Sequence, residues 1–212
     1  MEASEQIRRR RGRPPKQRED HAETRDLLLR AGLEVLTEKG FSAAGLDEML
    51  GRAGVPKGSF YHYFDSKEAF GLELIRHYGL FFARKLDRHL CDRTRPCLER
   101  LRSFVADAGE GMARHGFRRG CLIGNLGQEM GTLPESFRDR LRETFEDWQA
   151  RFGACLIEAQ HAGELAPDAD AARLAAFFWI GWEGAVLRAK LERCAQPLDI
   201  FADGFFASLP SR

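Results

Sequence analysis

From residue 23 onward, apolar residues recur at the three- and four-residue spacing of a helix, and no segment alternates as a β-strand does. The first run ends at Lys39-Gly40, where a glycine supplies the left-handed stop. Asp65 or Ser66 can cap a long helix that begins at Lys67. Further prolines and glycines predict helices over residues 97–114, 121–130, 134–162, 170–192 and 197–209. The predicted fold class is all-α.

Charge is balanced over the chain but concentrated near its start. The 33 Lys and Arg residues against 32 Asp and Glu give a formal net charge of +1. The net charge of the whole chain therefore does not indicate a nucleic-acid partner. Between Arg8 and Arg18 there are seven cations and no anion, around Pro14-Pro15, which predicts a basic flexible arm over residues 1–20. Within it, Arg11-Gly12-Arg13-Pro14 resembles an AT-hook, whose arginines enter a narrow A·T minor groove. A solvated run of charges is the alternative.

The five cysteines are odd in number, scattered and without C-x-x-C spacing, which argues against a disulfide framework or a zinc ribbon. No secretory signal or membrane-spanning run is recognised, so we expect a soluble, cytoplasmic protein without a membrane partner. The sequence contains no metal-ligand spacing, nucleophile elbow or dinucleotide fingerprint. An enzyme, a bound cofactor and a metal site are therefore not expected.

Two short helices joined by a tight turn follow the first helix. The segment Leu46 to Ala53 forms the first, Gly54-Val55-Pro56 the turn, and Lys57 to Phe64 the second. This is the pattern of a helix-turn-helix, whose second helix enters the major groove of DNA. Phe60 and Phe64 lie four residues apart and are expected to anchor that helix. Polar groups for phosphates and base edges remain on Lys57, Ser59, Tyr61, His62, Tyr63 and Lys67.

The segments Gly40-Phe41, Ala53 to Phe64 and Ser66-Lys67-Glu68 together resemble the signature of the TetR family of repressors, over residues 24–70. The resemblance implies a three-helix DNA-binding domain over residues 21–66 and a ligand-binding and dimerisation domain over residues 67–212. It also implies operator DNA as a partner, a homodimer built from the last two long helices, and DNA contacts at the same six residues. Ala44-Gly45 replaces the family's usual Thr, so Ser42 or a bare glycine is expected to start the second helix and to take the phosphate contact.

The segment 115–131 is unusually rich in glycine. Gly120, Gly124, Gly127 and Gly131 fall along one stripe of a helix, and each costs about 0.5 to 1 kcal/mol relative to Ala. Either another helix packs very close to this stripe or space is left there for a ligand. A second stripe beside it is expected to face a small pocket and consists of Cys121, Asn125 and Gln128.

The segment Phe177 to Ala185 combines aromatic residues with glycines and is expected to form a core and dimer helix. Glu183 is the exception, since a carboxylate among aromatic rings needs a partner. Arg118, Arg119 or Arg188 can provide one. Further candidates to line the pocket are Trp179, Trp182 and Glu183 itself.

These two segments and the arm are similar to TetR-family regulators of acrylate use. That resemblance implies a repressor of dimethylsulfoniopropionate and acrylate metabolism genes, released by acrylate as its small-molecule effector. The acrylate carboxylate then requires a donor such as Arg118, Arg119, Asn125 or Gln128. Two alternatives stay open. In the first, the protein is an electrophile or redox sensor that acts through a Cys121 thiolate, whose pKa nearby arginines lower. In the second, it is an architectural protein that bends A·T-rich DNA through the arm.

Overall fold

The computed structural model describes the backbone of residues 18–210 and the side chains of residues 21–210. All regular structure in that range is helical, as predicted. The helices are α1 (Arg18–Lys39), α2 (Leu46–Ala53), α3 (Lys57–Phe60), α4 (Lys67–Leu90), α5 (Cys97–Arg114), α6 (Leu122–Gln128), α7 (Glu135–His161), α8 (Ala171–Glu192) and α9 (Gln196–Ala207).

Two helix boundaries differ from the prediction. Helix α1 begins at Arg18, inside the range predicted as an arm, because no proline or glycine interrupts residues 16–31. Helix α3 ends at Phe60 rather than at Phe64. The chain continues as a turn in which the Tyr63 N–H donates to the Phe60 carbonyl at 2.9 Å. This turn lets Phe60 and Phe64 enter the same core.

The ends of α2 and α4 follow the chemistry of their terminal residues. Gly54 ends α2 at a φ of +65°, a left-handed conformation that glycine adopts without a steric penalty. The Ser66 hydroxyl caps α4 by accepting a hydrogen bond from the Ala69 N–H at 3.0 Å, which confirms one of the two predicted caps.

An aromatic cluster holds α1 to α3 against the start of α4. Phe60 is fully buried, Phe64 and Phe70 are nearly so, and the ring centroids of Phe60 and Phe70 lie 5.4 Å apart in an edge-to-face arrangement. The predicted anchoring role of Phe60 and Phe64 is confirmed. Tyr61 stays outside this cluster, with 56% of its surface exposed.

The remaining helices form a layered bundle in which α4 packs on α7, α7 on α8 and α8 on α9, while α5 covers α4 and α7. Its centre is aromatic: the Phe152 and Phe178 rings stack at 4.1 Å, and Trp148 and Trp179 lie 5.2 Å apart. Helix α6 contacts both α1 and α7, so it joins the N-terminal helices to the bundle.

Candidate DNA-binding and ligand-binding sites

The turn after α3 displays the polar groups predicted to contact DNA. Tyr61 and His62 are exposed, whereas Ser59 and Tyr63 are partly buried. The Tyr63 ring packs on the ring of His21 at 4.3 Å, so α1 positions it. The Lys57 ammonium is exposed and pairs with Asp47 at 2.9 Å. Of these side chains, Lys57, Tyr61 and His62 are the ones exposed to solvent.

Lys67 and Ser42, also predicted to contact DNA, are engaged within the protein. The Lys67 ammonium donates to the Phe41 carbonyl at 2.9 Å and lies 4.3 Å from the centroid of the Phe41 ring, and burial lowers its pKa. The Ser42 hydroxyl lies 3.2 Å from that of Thr132. Helix α2 starts at a bare glycine, Gly45, so the expected Ser42 cap is wrong and the alternative glycine cap is correct. Arg11 and Arg13 lie outside the described residues.

A cavity of about 420 Å³ lies between α1, α4, α5, α8 and the segment leading into α6. Four of the predicted pocket residues line it: Arg119, Cys121, Trp182 and Glu183. Helix α4 adds polar side chains that no sequence pattern indicated, namely His77, Tyr78 and Lys85. Helical spacing shows which face of α4 is buried, but it does not show that another helix leaves space in front of that face.

The other predicted pocket residues lie elsewhere. Arg118, Asn125 and Gln128 line a separate surface groove between the end of α1, α6 and α8. The Asn125 amide donates to the carbonyls of Leu36 and Thr37 at 3.3 and 2.9 Å. The predicted stripe of Cys121, Asn125 and Gln128 thus divides between the cavity and the groove, because Cys121 is the N-cap of α6 and its extended backbone lies outside the helical spacing that defined the stripe.

Trp179, a further predicted pocket residue, belongs to the aromatic core behind the cavity. It is only 3% exposed, and its indole Nε1 has no hydrogen-bond partner among the described residues. The indole packs against Trp148 and Phe82 instead.

Glu183 has a glycine and a thiol beside it rather than an arginine. Its carboxyl occupies the space in front of Gly124, where a β-carbon would overlap it. The expected arginine partner is wrong: Arg119 pairs with Glu38 at 3.2 Å, and Arg188 pairs with Glu192 one turn further along α8. Burial raises the pKa of Glu183 to about 7, while a hydrogen bond with Cys121 acts in the opposite direction.

Cys121 is buried at the start of α6, where its sulfur accepts a hydrogen bond from the Gly124 N–H at 3.5 Å. Burial and the nearby carboxyl of Glu183 raise the pKa of this thiol well above its ordinary value. The expected lowering of its pKa by arginines is therefore wrong, because Arg119 turns toward α1.

Helix α6 holds the N-terminal helices through its polar side chains. At its C-terminal end, the Glu129 carboxylate accepts from the N–H groups of Phe41 and Ser42 at 2.9 and 2.8 Å. The Thr37 carbonyl, near the end of α1, accepts from Asn125 and also from Lys190 of α8 at 3.1 Å. Helix α6 and the residue that follows it are therefore hydrogen-bonded directly to the segment that enters the helix-turn-helix.

Helices α8 and α9 carry an apolar face that no part of the described chain covers. Ile180 is 77% exposed, Leu191 73% and Ile200 65%. Gly184, on the same helix, has no atom within 4 Å of an added β-carbon among the described residues. Large exposed apolar patches mark interaction surfaces.

The described residues include no helix long and apolar enough to cross a membrane. They also hold no group of three or more His, Cys, Asp and Glu side chains arranged to bind a metal ion.

Residues 28–74 match the family described as bacterial regulatory proteins, tetR family, and residues 97–205 match the tetracyclin repressor-like C-terminal domain. The chain is 56% identical to the transcriptional regulator AcuR of Cereibacter sphaeroides, over 92% of this chain and 89% of AcuR. It is 37% identical to the transcriptional repressor DhaR of a Mycobacterium species, over 88% and 93% of the two chains. The crystal structure of regulatory protein TetR from Rhodobacter sphaeroides superposes with a TM-score of 0.86 at 56% identity, covering 88% of this chain and 98% of that one. The chain belongs to the TetR family of transcriptional regulators and is closely related to AcuR.

Proposed function

We propose that the protein is a homodimeric repressor that leaves its operator when acrylate binds in the cavity, and that it controls genes of dimethylsulfoniopropionate and acrylate metabolism. The observation that carries the proposal is that Cys121 and Glu183 on the cavity wall contact α6, while Asn125 and Glu129 of the same segment hold the DNA-binding helices. The repressor role is supported by the relationship to DhaR, which is named a repressor.

The cavity suits a small molecule with one apolar and one polar end. Phe82, Met112 and Trp182 provide apolar walls for a vinyl group, and polar side chains stand opposite them. The cavity volume of about 420 Å³ exceeds what acrylate alone needs, so it admits ordered water beside acrylate. Longer unsaturated acids are the natural competitors to test.

The operator DNA is released if the effector binds more tightly to a conformation in which α6 and α4 take positions that do not fit the operator. In TetR-type dimers, recognition helices read half-sites about 34–36 Å apart, so a displacement of a few Å misaligns one helix with its groove. A roughly 100-fold release requires about 2.7 kcal/mol of coupling between the two sites, which lies in the ordinary allosteric range.

The test is fluorescence anisotropy of the full chain on the DNA upstream of its own gene, titrated with acrylate and, as a saturated control, propionate. We expect acrylate to release the DNA and propionate to be at least tenfold weaker. Failure of acrylate to release the DNA contradicts the effector assignment while leaving the family membership intact.

The same assay separates acrylate binding from sensing through the Cys121 thiol. Because the thiol is buried and its pKa is raised, little nucleophilic thiolate is present at neutral pH. We expect Cys121→Ser to keep its response to acrylate. Loss of the response in this variant, with DNA binding intact, supports the electrophile sensor instead.

A further inference from the structure

Glu183 stands on the cavity wall without a cation beside it among the described residues. Its carboxyl lies against Gly124 and next to the thiol of Cys121. Tyr78 of α4 is the other titratable group close to it, and the Tyr78 hydroxyl is in turn bonded to Cys121 and the Leu122 backbone. All of these neighbours are neutral near pH 7.

The cations that share the cavity are already bound to acids or lie at its rim. Lys85 pairs with the Asp107 carboxylate at 3.2 Å and also donates to the Asp107 carbonyl. Arg119 pairs with Glu38 and, more weakly, with Glu34.

At the rim, Arg114 is 61% exposed and reaches Asp107 only at 3.9 Å. Arg30 of α1 and His115 after α5 are exposed at the same rim, and His77 of α4 lies partly buried on the wall. A carboxylate that enters the cavity therefore finds no arginine or lysine beside Glu183 that is buried and not already paired with an acid of the described chain.

We propose that Glu183 recognises the carboxylate of the effector as a protonated acid, by donating its proton in a hydrogen bond to a carboxylate oxygen of the ligand. Where Glu183 is ionised before binding, acrylate binds together with one proton taken from solvent, which forms the O–H bond of Glu183; where Glu183 is already protonated, no proton is taken up and no covalent bond changes. This inference rests on the proposed function and names the residue that selects a carboxylate at the site.

Three physical reasons support this pairing. Two carboxylates in contact cannot both stay ionised, so the pair shares one proton. A hydrogen bond from a carboxylic acid to a carboxylate is charge-assisted, short and strong. Burial already raises the pKa of Glu183 to about 7, so protonation at neutral pH costs little, whereas the ligand, with a pKa of about 4 like other carboxylic acids, stays ionised.

The expected signature is a binding constant that depends on pH. Near pH 6 nearly all Glu183 is protonated while acrylate is still ionised, so the affinity for acrylate is close to its highest value. Between pH 6 and pH 8 the dissociation constant should rise about tenfold, because only the protonated fraction binds.

Isothermal titration calorimetry of the full-length protein with acrylate, in two buffers of different ionisation enthalpy, counts the protons taken up. We expect close to one proton per acrylate at pH 8 and close to none at pH 6. Glu183→Gln keeps the shape and a hydrogen-bond donor but cannot ionise, so its affinity should be independent of pH and its proton uptake zero. Glu135→Gln, which removes an exposed acid of α7 outside the cavity, should behave as the wild type does.

The outcomes separate this inference from the proposed function. Binding of acrylate by the wild type without proton uptake, and with the same affinity at pH 6 and pH 8, overturns the role of Glu183 but leaves acrylate as the effector. Absence of acrylate binding at every pH overturns the proposed function and this inference with it. If Glu183→Gln does not fold, the same calorimetry on His77→Gln decides: proton uptake that persists without the imidazole supports Glu183, and uptake that disappears with the imidazole overturns the role of Glu183.

Discussion

The carboxyl group of Glu183 in α8 packs against the bare backbone of Gly124 in α6, in the space where any other residue would carry its β-carbon. One residue further along α6, Asn125 donates two hydrogen bonds to the carbonyl groups at the end of α1. The cavity wall and the DNA-binding helices are thus connected through one short helix. This connection explains why glycine stands in the middle of α6 despite its cost in a helix.

Gly124→Ala is expected to lower stability and to weaken the response to the effector. The added methyl group overlaps the end of the Glu183 side chain, which must turn away from Gly124 and leave its hydrogen bond with Cys121; a buried polar group left unpaired in this way costs about 1–3 kcal/mol. Gly127→Ala is the matched control, because an added β-carbon there meets no atom of the described chain within 4 Å. It should gain about 0.5–1 kcal/mol from helix propensity. Urea unfolding measures both, and equal stability of the two variants contradicts the close packing at Gly124.

Glu183→Gln is expected to make the protein more stable at alkaline pH. The pKa of Glu183 is raised from 4.5 to about 7 by burial, so its contribution to stability is fully present below pH 4.5 and is lost as pH rises through 7. Above pH 7 the variant should exceed the wild type by about 1–3 kcal/mol, and near pH 4.5 the two should converge. Urea unfolding at a series of pH values measures the difference.

Glu73→Gln is a control variant for which we expect the opposite pH dependence of stability. Arg76 and Arg25 lower the pKa of Glu73 to about 2, so its contribution is present above pH 4.5 and is lost as pH falls toward 2. This variant should be less stable than the wild type at pH 7. A Glu183→Gln variant whose advantage does not grow between pH 4.5 and pH 7 shows that Glu183 titrates normally.

Glu129→Gln is expected to weaken the coupling between effector and operator. An amide cannot accept both the Phe41 and Ser42 N–H groups as the carboxylate does, so α6 loses part of its hold on the segment before α2. Acrylate raises the operator dissociation constant by a certain factor in the wild type, and this factor should be about tenfold smaller in the variant. That change corresponds to a loss of about 1.4 kcal/mol of coupling free energy. Glu135→Gln removes the same charge from α7, where Glu135 pairs with Arg138, and should leave the factor unchanged. An unchanged factor in Glu129→Gln excludes this route of coupling.

Ile180→Lys is expected to dissociate the dimer. Ile180 is 77% exposed in one chain, and a lysine there places a charge within the apolar face of α8 and α9. Ile157→Lys makes the same change on α7, at a site 47% exposed and outside that face, and should stay dimeric. Sedimentation velocity separates the two, and a dimeric Ile180→Lys places the dimer contact elsewhere.

Deletion of residues 1–16 tests the basic segment while leaving α1 intact. We expect weaker operator binding and a shallower dependence of that binding on salt. The slope of the logarithm of the binding constant against the logarithm of the salt concentration should fall in magnitude by up to about 0.9 for each phosphate that the basic segment no longer neutralises. The ratio of operator to nonspecific affinity should be retained, because the helix-turn-helix reads the bases. Loss of all DNA binding instead supports the architectural protein.

Much of the fold was predictable because the signals are local. Pro96 and the residues around Gly116 delimit α5, which spans the predicted residues 97–114. Gly54 and Ser66 end and begin helices through their own backbone or side-chain chemistry. The inward direction of Phe60 and Phe64 was predicted from their four-residue spacing, although a turn after Phe60 rather than a continued helix brings Phe64 into the core.

The cavity was only partly predictable. Cys121, Trp182 and Glu183 stood out as polar or bulky residues beside glycines, and they do line it. Asn125, predicted to face the same pocket, does not line the cavity. Its side-chain amide donates hydrogen bonds to the carbonyl groups at the end of α1 instead. No pattern within α4 indicated that Tyr78 would lie near a carboxyl more than a hundred residues away.

By itself, the sequence determined the all-helical class, the glycine end of α2, the serine cap of α4 and the helix-turn-helix, because hydrophobic spacing and the conformations of glycine, proline and serine act within a few residues of the chain. Only the tertiary structure decided the partners of Glu183, Glu129 and Lys67. Those partners come from helices distant along the chain, and which side chains meet depends on how the helices pack. Arg119, expected to pair with Glu183, pairs instead with Glu38, because the packing of α1 brings that acid to 3.2 Å from the Arg119 guanidinium.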